Sequence, residues 1–211
     1  MSEVNVQLVR EFFELNLFQV MTNWQQGPRF RSGENSGQLF VRNTAPGLPR
    51  ELPFLLSVGD VSSLERATVE VRAWHGDRFY PSVIEANPVL YEFVSSESLA
   101  LAEEVFDGLP FTTILVVSEL PAGPELRSRS LSLLRKSGIG YVIEFTDILR
   151  ELVMKVDESG HYPASQTLQT IRLLKRYRLI RNQQMEFAFS VEAPPPAVSP
   201  KVETSDVSDD E

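Results

Sequence analysis

Glu70 and Arg72 stand two residues apart in the segment T68-V-E-V-R-A-W74. In an extended chain, Val69, Val71 and Ala73 fall on one side and Thr68, Glu70, Arg72 and Trp74 on the other. A carboxylate and a cation on one strand face suit phosphate chemistry. The hard carboxylate oxygens hold Mg²⁺ or Mn²⁺, and the cation orients water or stabilises developing charge. Such a site needs a second acid, and Asp60 lies nine intervening residues upstream. Asp60, Glu70 and Arg72 are therefore the candidate catalytic set, with Asp60 and Glu70 as candidate metal ligands. The plainer reading makes Glu70 and Arg72 an ion pair or the solvated face of an amphipathic strand. On that reading, residues at i and i+2 do not touch as cross-strand pairs do, so each seeks other partners.

Other chemistries have little material. The chain has no cysteine, which excludes disulfides, thiolate catalysis and cysteine-ligated metals. Its two histidines are His75 and His161, so a zinc site would have to lean on carboxylates. His75 follows the candidate strand in W74-H-G-D-R-F-Y-P81, where it reads as a loop residue or a phosphate neighbour. No glycine-rich phosphate loop is present.

Basic residues gather near the end of the chain. Arg172, Lys175, Arg176, Arg178 and Arg181 lie in a stretch that has no acid between Gly160 and Met185, with Tyr177 among them. They form a candidate nucleic-acid-contacting stripe on a last helix, with Arg29 and Arg31 as possible additions. On the same helix, Ile171, Leu174, Leu179 and Ile180 are expected to face the core. From Ser190 onward six acids stand against Lys201 alone, a net charge of −5, and the whole chain carries −9. This Pro-, Ser- and acid-rich stretch is expected to be a disordered tail, because it buries too little apolar surface to offset ordering. It is either a solvating tail or an acidic segment that docks on a basic partner.

The elements that must position these residues follow from periodicity. Residues 1–189 read as one α/β domain, and residues 190–211 as the tail. Glu3–Leu17 is a helix capped by Ser2, with Glu11 and Glu14 as further candidate acids on its polar face. Phe18–Trp24 and Gln38–Arg42 are extended, and Phe54–Val58 is a strand or an extended loop. Ala67–Trp74 is a strand. Two short helices follow, Pro81–Val94 and Ser98–Phe106. Phe111–Val117 is an unbroken apolar strand, as expected where both faces are buried. A helix from Glu125 to Lys136 buries Leu126, Leu131 and Leu134, and Gly140–Phe145 is the next strand. Thr146 caps a helix burying Ile148, Leu149, Leu152, Val153 and Val156. Ser165 caps the last helix, which runs to about Ile180. The strand–helix–strand order predicts parallel crossovers, and so a mixed sheet flanked by helices.

This order, helix, three strands, helix, strand, together with Glu70-Val-Arg72 on the third strand, resembles the restriction-endonuclease-like, or PD-(D/E)XK, nuclease superfamily. The resemblance covers about residues 3–145, with additional C-terminal β/α elements. It implies that an acid on the second strand and an acid-x-Lys on the third bind Mg²⁺ or Mn²⁺ beside a scissile phosphate. Here the lysine is replaced by Arg72, which stays charged and cannot handle protons in the same way. The upstream acid is either Asp60 or, if the preceding strand is Gln38–Arg42, a neutral Gln38. The expected function is a nuclease-like domain with a degenerate site, a non-catalytic protein that binds nucleic acid or a partner. The alternatives are a Mg²⁺-dependent DNA endonuclease and a protein-interaction module whose basic last helix meets the acidic tail or another acidic protein. The N-terminus lacks a basic region followed by an unbroken apolar run, and no stretch reaches the roughly 18 apolar residues of a membrane span. A cytoplasmic protein without membrane contact is expected.

Overall fold

The computed structural model describes residues 3–22, 38–76 and 78–180. Ser2, Trp24, Arg29, Arg31, Arg181 and the tail expected at 190–211 lie outside the described residues. Five strands, β1 (Phe18–Thr22), β2 (Gln38–Asn43), β3 (Arg66–Arg72), β4 (Thr112–Val117) and β5 (Tyr141–Glu144), form one sheet in chain order. The pairs β1–β2 and β2–β3 are antiparallel; β3–β4 and β4–β5 are parallel. The protein is therefore α/β, with a mixed sheet between helices.

Alternation along each strand divides the helices between two faces. On the first face, Val69, Val71, Leu39, Val41, Ile114, Val116 and Ile143 pack against α1 (Glu3–Leu15) and α5 (Phe145–Lys155). Leu168, from α6 (Gln166–Arg176), joins the same core. On the second face, Leu115, Val117 and Val142 pack against Ile84 of α2 (Pro81–Ala86), Leu90 and Phe93 of a 3₁₀ segment (Pro88–Val94), and Leu134 of α4 (Pro124–Lys136). Phe40 meets Ala102 of α3 (Ser96–Val105) and Phe106 in a separate cluster. Ile114, Leu115, Val116 and Val117 are fully buried, as an unbroken apolar run in a parallel strand leads one to expect.

Several expectations shift on packing grounds. Phe54–Leu56 is a loop that makes one parallel bridge, Leu55 to Val142, rather than a full strand. The expected helix Pro81–Val94 breaks at Asn87-Pro88 into α2 and the 3₁₀ segment, because proline cannot supply the N–H that an uninterrupted helix needs. Leu126 is exposed, while Ser130 turns inward and donates to the carbonyl of Phe79. α5 begins at Phe145 rather than after Thr146, with Glu144 at its N-cap. α6 ends at Arg176, and Arg178 adopts a positive φ of 56°, so Leu179 points to solvent instead of the core. Gly140 is one position where only glycine fits: a Cβ would sit 2.6 Å from Thr112 Oγ1 and 2.9 Å from the Thr113 carbonyl oxygen. Among the described residues no helix is long and apolar enough to cross a membrane.

Candidate functional site

The antiparallel register of β2 and β3 sets Gln38 directly opposite Glu70. The parallel register continues the row to Leu115 and Val142, all on the second face. Gln38, Thr68, Glu70 and Arg72 form a polar island there. It lies between the Phe40 cluster on one side and the Leu115–Val117 cluster on the other. Gln38 Nε2 donates to Thr68 Oγ1 at 3.0 Å.

Glu70 is 2% exposed. Arg72 Nε lies 2.8 Å from its Oε1. The pair is close in distance, but the N–H is not aimed well enough for a directed hydrogen bond. The contact corrects the expectation that residues at i and i+2 would seek separate partners. Long side chains sharing a strand face bridge that gap when burial leaves them no water. Burial pushes the Glu70 carboxyl up to about 7, the Arg72 charge opposes the rise, and Glu92 on the 3₁₀ segment adds to it. A single carboxylate faced by a neutral amide and held by an arginine offers weak purchase to a divalent ion, since one oxygen pair is already balanced by a cation.

Asp60 does not join this island. It sits in a 3₁₀ turn, Val58–Ser63, which precedes β3 and packs on α5 against the first face. Its Oδ2 accepts from the Ser57 backbone N–H and hydroxyl, and its Oδ1 pairs with Arg50 at 2.5 Å. Both oxygens are thus spent on closing a turn and holding the 50s loop. Among the described residues no group of three acidic, histidine or cysteine side chains is placed to hold a metal ion.

The α1 acids have separate fates. Glu14 makes an exposed pair with Arg10 at 2.8 Å. Glu11, expected on a polar helix face, is buried: it accepts from Gln7 Nε2 at 2.9 Å and from the hydroxyl of Ser165, the N-cap of α6. It belongs to the first face, away from Glu70. His75 also turns to that face, where Nε2 lies 3.2 Å from Asn5 Oδ1 and the ring approaches Phe145.

The basic stripe is divided. Lys175 is buried, and its Nζ donates to the carbonyls of Val153 and Val156 at 2.8 and 2.6 Å, closing the C-terminal end of α5. It is not available to a phosphate. Arg172 is half-buried, and Arg176 and Arg178 are exposed beside exposed Tyr177 and Leu179. A second basic surface went unread in the sequence. Ser128, Arg129, Ser132, Arg135 and Lys136 follow each other at helical spacing along the exposed side of α4. The spacing i, i+4, i+7/i+8 was the available signal.

No protein-family model, curated protein or solved structure matches the chain.

Proposed function

We propose that this chain is a nuclease-like scaffold whose metal position is closed by its own ion pair, and that it acts by binding rather than by catalysis. The observation that carries the reading is Glu70 held by Arg72 and faced by Gln38 across β2–β3. In the resembled superfamily, the positions of Gln38 and Arg72 carry an acid and a lysine. The element order and the change from antiparallel β1–β2–β3 to parallel β3–β4–β5 support the same scaffold. A buried carboxylate drawn toward neutrality holds Mg²⁺ poorly, and Arg72 stays charged, so it cannot take over the proton handling of the resembled lysine. The remaining function is recognition of nucleic acid or of a partner protein. Arg176 and Arg178 give the scaffold an exposed cationic end for it.

The test is a calorimetric Mn²⁺ titration of the full chain beside Glu70→Ala. Neither protein is expected to show saturable heat. Saturable binding in the wild type that disappears in Glu70→Ala overturns the non-catalytic reading and restores the Mg²⁺-dependent endonuclease.

A further inference from the structure

A groove of about 490 Å³ runs between α4 and the loop at residues 54–55. Its lining includes Phe54, Leu55, Ser128, Leu131, Ser132 and Arg135, and no acid. Arg127 also lines it but is paired with Glu144. Arg135 has its guanidinium carbon 4.6 Å from the centre of the Phe54 ring, and among the described residues no carboxylate pairs with it. Apolar floor, serine hydroxyls and a free cation meet in one place.

The groove also borders a strand edge. The Leu56 N–H donates to the Val142 carbonyl at 2.8 Å, and the Val142 N–H donates to the Phe54 carbonyl at 2.9 Å. A parallel bridge of this kind uses the groups flanking Leu55 and turns Leu55's own N–H and C=O to the other side. Among the described residues neither group of Leu55 has a hydrogen-bond partner. An extended peptide laid there would gain main-chain bonds, the strand-addition mode of peptide recognition.

We propose that this groove is the docking site of the chain's own acidic C-terminus, residues 203–211, laid beside Leu55 as an added strand. As an added strand, that segment, E-T-S-D-V-S-D-D-E, would share one face among Glu203, Val207, Asp209 and Glu211: three carboxylates for Arg135 and the serines, and a valine for the apolar floor. The chain between Ile180 and Glu203 spans up to roughly 75 Å when extended. A body of this size has a radius of gyration of about 16 Å, so every face is within reach and chemistry makes the choice. The groove on the other side of α4 has Glu85 and Glu125 in its lining. Arg176 and Arg178 stand at the end of α6, and neither lines this groove. Tethering raises the effective concentration of the segment to about the millimolar range, so contacts too weak for a free peptide suffice. The inference is independent of the Glu70 site.

The absence of cysteine allows a clean spin label on Ser208→Cys in the otherwise intact chain. Amide signals of Leu55, Ser128, Ser132 and Arg135 are expected to broaden near a salt concentration of about 0.01 M. They should recover near about 1 M, where the screening length falls from about 30 to about 3 Å. Arg135→Glu is expected to abolish the broadening. Glu203→Gln/Asp209→Asn/Glu211→Gln, which lies outside the folded body, should do the same if Arg135→Glu fails to fold. Broadening centred on Arg176 and Arg178, no broadening at all, or broadening that survives both sets of substitutions overturns the proposal. So does broadening seen only between labelled and unlabelled molecules in a mixture, which would place the segment on a second copy.

Discussion

Glu70 is a residue that stability alone would not select. A carboxyl 2% exposed in an apolar layer is held ionised only at a cost. Its pKa rises from 4.5 to about 7, first through burial, with Arg72 opposing and Glu92 assisting. The folded state therefore binds a proton more tightly than the unfolded chain does. The stabilisation is fully present below about pH 4.5 and is lost as pH rises through about 7, a swing of about 3 kcal/mol at 1.4 kcal/mol per pH unit. Glu70→Gln removes this group from the titration. Urea unfolding at a series of pH values is expected to show wild-type stability falling relative to Glu70→Gln between pH 4.5 and 7. Arg72, 12% exposed along its side chain, is left largely buried and unpaired in the variant, so the comparison rests on the pH dependence and not on absolute stability. Parallel pH profiles for the two proteins would mean that Glu70 is not buried as described.

At the scale of elements, periodicity made the strands legible and left capping and long side chains obscure. The alternation at Ala67–Trp74 sets Val69 and Val71 on the first face and Thr68, Glu70 and Arg72 on the second, and the apolar run at Phe111–Val117 suits a strand covered on both faces. Asp60 was harder to place: a carboxylate nine intervening residues before Glu70 is compatible with a ligand, and only the turn closed by Ser57 shows that it is a capping group. Charge hid the role of Lys175. Leu168, Ile171 and Lys175 follow at i, i+3 and i+7, so the lysine lies on the inward stripe of α6, while reading it by charge placed it outside. Its ammonium binds the last carbonyls of α5, where a helix C-terminus favours a cation. Lys175→Met keeps the stem and loses both charge-assisted bonds, with an expected loss of about 1.5–3 kcal/mol in chemical denaturation. Arg176→Met, one residue on and exposed, should stay within about 0.5 kcal/mol of wild type. Equal losses in the two variants would show that Lys175 does not clamp α6 to α5.

For the whole molecule, the proposed nuclease-like scaffold makes a claim about side-chain placement as well as about element order. The register puts that claim in a form that substitution can test. Gln38 and Glu70 are direct cross-strand partners, and Arg72 follows Glu70 on the same face. Directly opposite residues bring their Cβ atoms within about 5.5 Å, close enough for two carboxylates to share one divalent ion. Gln38→Asp with Arg72→Lys supplies the acid and the lysine of the resembled motif without moving the backbone. Thr68, which now accepts from Gln38, can instead donate its hydroxyl to the new carboxylate. The reconstructed chain is expected to show saturable Mn²⁺ binding, with a dissociation constant of about 1 mM or tighter, corresponding to about 4 kcal/mol. Replacing Glu70 by Ala in that background should abolish the binding. A double variant with unchanged thermal unfolding and no Mn²⁺ heat would separate topology from site. The strand order would then be a way of packing five strands between helices, and the Glu70–Arg72 pair a structural contact that never held a metal.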